Sequence, residues 1–184
     1  VKNILDFDFL KAAGAGEKIR VAGNIPYYIT AAIIERVILA REVVKDAFFT
    51  MQKEVGERIT AVPHTKAYGS LTVFVNFYGQ AKKYFAIGRK AFFPEPNVDS
   101  VFIGIDFKSG DKLPFDDEKF FFRVVKAGFS EKRKMLVNNL SKEFKTGKDT
   151  IAKILADSGV SEKARAEEVD IKGFSSIAAA LSRV

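Results

Sequence analysis

The sequence GNIPYYIT places Asn24, Ile25, Pro26 and Tyr27 between an apolar run and an amphipathic helical pattern. The Asn24 amide oxygen and the carbonyl ahead of Pro26 would present two hydrogen-bond acceptors in a narrow turn, because proline fixes its own φ and restricts the preceding residue. Two acceptors suit an amine that carries two hydrogens. The same residues also suit a tight strand-to-helix turn whose tyrosines pack in the core.

If that amine is exocyclic on a nucleobase, its lone pair is delocalised into the ring and it is a poor nucleophile. Accepting both hydrogens would help to pyramidalise the nitrogen and direct its lone pair at an electrophile. Tyr27 could stack on the base after the base leaves its helix. The turn therefore predicts a site for chemistry on a nucleobase amine.

Two later motifs extend this hypothesis. FFPEPNVDS places Phe92 and Phe93 beside a rigid pair of prolines, where they could contact a base or, as Phe92 is expected to do, pack in the core. GFSEKRKMLVNNL joins an aromatic residue to Lys132, Arg133 and Lys134, a combination that suits contacts with phosphates.

The excess positive charge is concentrated in one stretch. The net charge is +7, and residues 119–148 carry nine Lys or Arg against two acidic residues, while the rest of the chain carries 21 of each sign. Such a patch favours a polyanionic partner, because each neutralised phosphate releases condensed counterions. A solvated basic helix face is the alternative.

Composition excludes several classes of site. The 184 residues include no cysteine and one histidine, His64, which leaves no thiolate metal site and little for zinc or a histidine-based triad. No apolar run has membrane-spanning length, and the N-terminus does not resemble a secretory signal. We expect a cytoplasmic protein that acts as a monomer without a metal or membrane partner, with an organellar location as the alternative.

Residues 1–108 show alternating strand and helix patterns, which indicate an α/β domain with a largely parallel sheet. The last two strands are joined by the proline-containing loop, too short for a helix, so we expect an antiparallel hairpin. Strands are predicted at 18–22, 46–51, 83–87 and 101–107, and helices at 30–40, 53–61 and 70–78.

A polar break at 108–114 precedes patterns that are only helical. We therefore expect a small all-helical domain at 109–184 that carries the basic patch and binds RNA. Its helices are predicted at 117–129, 131–144, 150–158 and 174–182.

The chain opens on Val1 with an element typical of the middle of an α/β unit. The segment Gly14 to Ile19 offers Gly-x-Gly, but it precedes a strand where a dinucleotide fingerprint must follow one. We therefore expect this chain to be the C-terminal part of a longer protein, without its glycine-rich cofactor loop.

The ordered motifs GNIPYYIT, MQKEVGERITA, AYGSLTVF, FFPEPNVDS and GFSEKRKMLVNNL together resemble the small-subunit ribosomal RNA adenine dimethyltransferases. The resemblance implies the second half of a Rossmann-like methyltransferase sheet followed by the helical domain. It also implies S-adenosylmethionine as cofactor, and small-subunit rRNA in the immature small ribosomal subunit as partner. The implied reaction is dimethylation of two adjacent adenines near the 3′ end of that RNA.

The resemblance also assigns roles to individual residues. Asn24 and the Pro26 carbonyl would accept from the adenine amine, Tyr27 would stack on the base, and Phe93 would close its other face. Asp8 would contact the adenine amine of the cofactor, which Asn24 also borders; from the sequence alone, Asp8 suits a helix cap equally. Tyr28 stands where many members have asparagine, and we expect it only to pack against the following helix.

Other functions remain as alternatives. Large-subunit rRNA methyltransferases that confer macrolide resistance share the asparagine-proline-tyrosine motif, but FSEKRKMLVNN favours the small-subunit branch. A non-catalytic RNA-binding assembly factor would use the basic helical domain alone. DNA adenine methyltransferases usually have a second proline where Ile25 stands, and base deaminases need a His/Cys zinc signature that this chain lacks.

Overall fold

The computed structural model describes residues 3–14, 16–107 and 115–184. The chain forms two compact units, one made of Val1–Thr60 and Val75–Gly110, the other of Ala61–Phe74 and Asp111–Val184. The predicted break at 108–114 lies outside the described residues. The sequence assigns residues 61–74 to the first domain, whereas in the structure they pack with the second unit.

The first unit contains a mixed sheet with helices. Its strands are β1 (Ile19–Asn24), β2 (Val44–Gln52), β3 (Gln80–Ile87) and β4 (Ser100–Asp106). Its helices are α1 (Phe9–Ala13), α2 (Thr30–Leu39) and α3 (Lys53–Ile59), and α4 (Ser70–Tyr78) begins in the second unit and ends in the first.

The described strands are ordered β1-β2-β4-β3. β1 and β2 are parallel, while β4 runs antiparallel to both of its neighbours. The predicted α/β class and the antiparallel pairing of the last two strands are confirmed. In the described sheet β1, β2 and β3 run in one direction and β4 runs against them, as expected for a largely parallel sheet that ends in an antiparallel hairpin; β4 inserts between β2 and β3.

One face of the sheet forms the core of the first unit. Alternate side chains of β2 and β4, among them Phe49 and Ile103, are fully buried, as a strand period of two requires. At Gly56 in α3 there is no room for a side chain, because Val101 of β4 lies directly over its α-carbon. A glycine there lets α3 pack closely on the sheet.

The second unit is helical in its described part. The helices pack around large apolar side chains that are fully buried, including Phe121, Leu140 and Phe174. Its helices are α5 (Glu118–Gly128), α6 (Leu136–Phe144), α7 (Lys148–Asp157) and α8 (Ile171–Leu181). The predicted helices are thus present, but the second of them begins five residues later than expected.

Side-chain packing explains why residues 61–74 belong to the second unit. Tyr68 is 5% exposed, and its ring lies 6.1 Å from that of Phe129. The backbone N–H of His64 donates to the Glu167 carbonyl at 2.8 Å. Burial, together with the charge of Asp170, raises the pKa of the Tyr68 hydroxyl. These contacts are tertiary, so the local sequence pattern does not reveal them.

Within the described residues, no helix is long and apolar enough to cross a membrane. In the same part of the chain, no cluster of three or more His, Cys, Asp or Glu side chains could hold a metal ion.

Candidate functional site

The strand register brings the sequence motifs of the first unit to one edge of the sheet. Asn24 pairs with Thr50, and Ser100 pairs with both Gln52 and Ile87. The carboxyl ends of β1, β2 and β3 and the amino end of β4 therefore share an edge, which we call the carboxyl edge. Ligands of open α/β sheets bind outside this edge.

The turn after β1 contains both backbone carbonyls that the sequence analysis named as acceptors, those of Ile25 and Pro26. The Pro26 carbonyl already accepts hydrogen bonds from the Ile29 N–H and the Thr30 hydroxyl, both at 3.2 Å. The Thr30 hydroxyl has a single hydrogen, for which the Tyr27 carbonyl at 3.3 Å also competes, so the Pro26 carbonyl is only partly occupied. Its role as an acceptor for a substrate amine stays a prediction.

The carbonyl ahead of the proline remains available. The Ile25 N–H donates to the Thr50 carbonyl at 3.0 Å, and the Ile25 side chain is buried. In the described part of the chain, no group donates to the Ile25 carbonyl and none binds the exposed side chain of Asn24. The Asn24 amide oxygen and the Ile25 carbonyl are therefore the two acceptors predicted for this turn.

The two tyrosines of the motif have opposite environments. Tyr27 is half-buried, and its hydroxyl shares a hydrogen bond of 2.8 Å with the buried hydroxyl of Ser100. Tyr28 is 86% exposed. The expectation that Tyr28 packs against the following helix is wrong, because the 3-10 turn Tyr27–Ile29 directs only the first tyrosine toward the sheet.

Phe93 lies in the loop that joins β3 to β4 at the carboxyl edge. Its side chain is fully exposed, whereas that of Phe92 is half-buried. An exposed phenylalanine makes no contribution to the core, so it is free to meet a planar ligand. The loop covers residues 88–99, and both of its ends lie at the carboxyl edge, which Asn24 and Tyr27 share.

Asp8 caps a helix, which is one of the two roles that the sequence analysis gave it. It is the N-cap of α1, where one carboxylate oxygen accepts from the Lys11 N–H at 3.0 Å. Its second oxygen has no partner among the described residues, and the residue is exposed. Asp8 can therefore cap the helix and still accept from a ligand amine. The second carboxylate oxygen of Asp8 thus fits the role of an acceptor for an amine-bearing cofactor.

The predicted RNA-binding triplet lies in a loop, not on a helix. Residues 129–135, which we call the basic loop, connect α5 to α6, and Lys132, Arg133 and Lys134 within it are exposed. The prediction of a helix from residue 131 is wrong here. The Leu136 N–H donates to the Ala164 carbonyl at 2.8 Å, which satisfies the first turn of α6 from outside the helix.

The three cations of the triplet are not equivalent. Lys132 donates to the Lys66 carbonyl at 3.2 Å, and Lys134 pairs with Glu131 at 2.9 Å. Arg133 has no such partner within the described residues. Arg133 is therefore the cation of the triplet most available for a phosphate.

Glu131 orders the basic loop electrostatically. Hydrogen bonds from Lys134 and Lys142, with their positive charges, lower the pKa of the Glu131 carboxyl below its ordinary value of about 4.5. A carboxyl whose pKa is lower in the folded state stabilises the fold above its unfolded pKa. That contribution is lost as the pH falls through the folded pKa.

We accordingly expect Glu131→Gln to lower the Tm at neutral pH by a small amount, because the carboxyl is solvent-accessible and its pairs are screened. The difference between wild type and variant should vanish in acid, below the folded pKa of Glu131. Thermal unfolding across a pH series measures this. A difference that persists unchanged in acid would show that Glu131 acts through something other than its charge.

Asn139 holds the basic loop from inside the unit. It is 2% exposed, and its amide donates to the carbonyls of Gly128 at 2.7 Å and Glu131 at 3.2 Å. The first of these is an orphan carbonyl at the C-terminal end of α5. Asn139 thus fixes both the end of that helix and the start of the loop.

We expect Asn139→Ala to cost about 1–3 kcal/mol of stability, because it leaves two carbonyls without their buried donor. It should also weaken RNA binding through disorder of the basic loop. Denaturant unfolding and RNA titration test these effects. Asn138→Ala is the matched control, since the neighbouring side chain is less buried and has no comparable bonds; we expect a change within about 0.5 kcal/mol.

Sequence reasoning missed three participants in these sites: Ser100, Lys66 and Asn139. Ser100 and Asn139 stood inside quoted motifs, and their polar type at the border of an apolar strand or within an apolar helix was the available signal. No local signal pointed to Lys66.

A family model described as "Ribosomal RNA adenine dimethylase" matches residues 1–182 of the chain. A protein named ribosomal RNA small subunit methyltransferase A from Streptococcus equi subsp. zooepidemicus (strain MGCS10565) is 40% identical over 169 residues, which cover 90% of this chain and 58% of that protein. A protein of the same name from Bacillus mycoides (strain KBAB4) is 37% identical with the same coverage. The chain thus spans 58% of the length of these relatives.

Two solved structures resemble the chain. A dimethyladenosine transferase from Plasmodium falciparum aligns with a TM-score of 0.69 at 26% identity, covering 86% of this chain and 64% of that one. The 23S rRNA methyltransferase ErmE aligns with a TM-score of 0.68 at 23% identity, covering 95% and 70%. The second likeness is one of fold alone.

Proposed function

Because the chain belongs to the ribosomal RNA adenine dimethylase family, we propose that the full-length protein dimethylates two adjacent adenines near the 3′ end of small-subunit rRNA, using S-adenosylmethionine. The observation that carries the proposal is the turn after β1. There the exposed Asn24 amide and the unoccupied Ile25 carbonyl stand beside Tyr27 at the carboxyl edge. Two acceptors next to an anchored aromatic ring suit an extruded adenine.

The turn would act on the nucleophile. The Asn24 oxygen and the Ile25 carbonyl accept the two hydrogens of the exocyclic amine, which draws the nitrogen out of conjugation with the ring. Tyr27 stacks on one face of the base and the exposed Phe93 covers the other. The base is then held with its amine in a single orientation, which reduces the entropic part of the barrier.

The cofactor would lie against the residues that border this turn. Asp8, through its unpartnered oxygen, and Asn24 would hold it. When bound, S-adenosylmethionine supplies an electrophilic methyl group on a sulfonium centre. The methylated nitrogen of the adenine is cationic, so its proton is acidic and passes to water.

The second methylation places a different demand on the turn. A monomethylated amine has one hydrogen left for two acceptors, so either Asn24 or Ile25 must give up its partner and admit a methyl group. The Asn24 side chain is exposed and makes no other bond among the described residues, so it can move to do so. This mobility is compatible with dimethylation.

The basic loop supports RNA as the substrate, and its supply of exposed cations suits a phosphate backbone. The names of the relatives favour the small subunit over the large one. The reaction would then take place where small subunits mature, in the cytoplasm or in an organelle that makes its own ribosomes.

A non-catalytic assembly factor is the second candidate, because the basic loop could bind immature subunits without any chemistry at the carboxyl edge. Family members that resemble assembly checkpoints make the two roles compatible. Transfer of a methyl group to the RNA distinguishes the enzyme from the assembly factor.

The test is transfer of radiolabelled methyl from S-adenosylmethionine to immature small subunits by the full-length protein, with large-subunit RNA as a parallel substrate. Label on adenines of small-subunit RNA is the expected result. Label on large-subunit RNA alone would favour the macrolide-resistance type of enzyme. Tight subunit binding without label would favour the assembly factor.

A further inference from the structure

The end of the proline loop carries two residues that the proposed chemistry does not use. Asp99 and Ser100 follow the FFPEPNV segment and lead into β4, which inserts between β2 and β3. Because β4 runs antiparallel to its neighbours, its first residue lies at the carboxyl edge. We call this pair the clasp.

Ser100 connects the clasp to the turn after β1. It is fully buried, and its backbone pairs with Gln52 on one side and Ile87 on the other. Its hydroxyl shares the 2.8 Å hydrogen bond with the Tyr27 hydroxyl. Because the Ser100 side chain is fully buried and its backbone pairs with strands on both sides, it cannot move with Tyr27. It therefore fixes the hydroxyl end of the Tyr27 ring.

Asp99 connects the clasp to two further elements of the edge. Its carboxylate accepts from the Arg89 N–H at 3.1 Å, at the start of the loop that carries Phe93. Its backbone carbonyl accepts from the Lys53 N–H at 3.0 Å, at the first residue of α3. The two residues of the clasp thus tie the Phe93 loop, α3 and Tyr27 to one point of the sheet.

We propose that Ser100 is a positioning residue for the reaction, whose hydroxyl holds the Tyr27 ring in the orientation that receives the target adenine. The inference rests on the proposed function. Without this bond the hydroxyl end of the half-buried ring is no longer held, and the ring is freer to turn about χ1 and χ2. Ring rotation would cost little affinity for the RNA as a whole, which depends on phosphate contacts, but would misplace the one base that reacts.

The test uses the full-length protein with Ser100→Ala, Tyr27→Phe and the double variant. Tyr28→Phe is the matched control, because it removes a hydroxyl from the neighbouring, exposed tyrosine. Single-turnover methyl transfer to immature small subunits and RNA affinity are measured for each. A second reporter is the fluorescence of 2-aminopurine placed at the target adenine, which reads the extruded base directly.

We expect Ser100→Ala and Tyr27→Phe each to slow transfer about fivefold to tenfold at saturating RNA, the effect of one lost hydrogen bond, with RNA affinity unchanged. The double variant should be no slower than the slower single variant, because both remove the same bond. Both single variants should also give a smaller 2-aminopurine signal. Tyr28→Phe should match wild type in every assay.

Wild-type rates in both single variants would overturn the inference. It would also be overturned if the increases in activation free energy of the two single variants were additive in the double variant. Equal losses of rate and of RNA affinity would do the same, because they indicate general damage. If Ser100→Ala fails to fold, Tyr27→Phe still decides, since it leaves the buried serine in place. If the wild type transfers no methyl, the proposed function fails, and an unchanged 2-aminopurine signal in the variants then also removes the positioning role.

Discussion

Replacing Asn24 with alanine in the full-length protein is expected to slow methyl transfer by roughly 10²- to 10³-fold, the range seen when one preorganised hydrogen-bonding group is removed from an active site. RNA affinity should change by less than about threefold, because phosphate contacts elsewhere dominate binding. Single-turnover transfer of labelled methyl and RNA titration under the same salt conditions measure the two effects separately.

The size of this effect follows from the arrangement of the turn. The Pro26 carbonyl already accepts from the Ile29 N–H and competes with the Tyr27 carbonyl for the Thr30 hydroxyl, so the Asn24 oxygen and the Ile25 carbonyl are the better acceptors for the amine. Losing one of two acceptors leaves the nitrogen largely conjugated with the ring. The Pro26 carbonyl, which already accepts from the Ile29 N–H, would replace it poorly.

Asn97→Ala is a matched control for this prediction. Asn97 is an exposed asparagine in the loop that carries Phe93, and its side chain makes no hydrogen bond in the described part of the chain. We expect wild-type rates from it. Parallel losses of rate and affinity in Asn24→Ala would contradict the assigned role, because they would mean that Asn24 only supports binding.

Reversing the charges of Lys132, Arg133 and Lys134 to glutamate is expected to weaken RNA binding by at least about tenfold at moderate salt. The slope of log K against log salt should flatten by about one for each phosphate contact removed. Fluorescence anisotropy with small-subunit RNA over a salt series measures both quantities. An unchanged slope would show that the basic loop makes no phosphate contact.

The structure predicts which of the three single charge reversals changes the salt dependence of RNA binding most. Arg133→Glu should have the largest effect on the slope, because Lys132 and Lys134 already donate to Lys66 and Glu131. Arg183→Glu is the control for it, an exposed arginine in the same unit without a side-chain partner among the described residues. An equal loss from Arg133→Glu and Arg183→Glu would indicate a general charge effect.

Much of the fold was predictable because its signals are local. Strand and helix patterns located the elements of the first unit, and a connection too short for a crossover helix predicted that β3 and β4 pair as a hairpin. The position of Asn24 between a strand and a helix placed it at the ligand-binding edge. The grouping of segment 61–74 with the helical unit was not predicted, since the contacts of Tyr68 with that unit are not encoded in its neighbouring residues.

The start of α6 shows the limit of helical periodicity. Residues 131–144 carry a helical pattern, yet the helix begins at Leu136 because Asn139 binds the carbonyls of Gly128 and Glu131 and holds the chain in a loop. Such a side-chain bond competes with helix formation, and its strength depends on burial that the sequence does not report.

The chemical groups of the site could be read from the residues alone: an asparagine and a backbone carbonyl in a proline turn, an aromatic residue after it, and a concentration of cations. Those follow from residue type and spacing, which are local properties. Which of these groups are free and which are held depends on contacts between distant parts of the chain. The Pro26 carbonyl already accepts from Ile29, Tyr28 faces solvent, and Tyr27 is fixed by a serine 73 positions away. That serine reaches the turn because β4 inserts between two other strands, a pairing that local patterns do not specify.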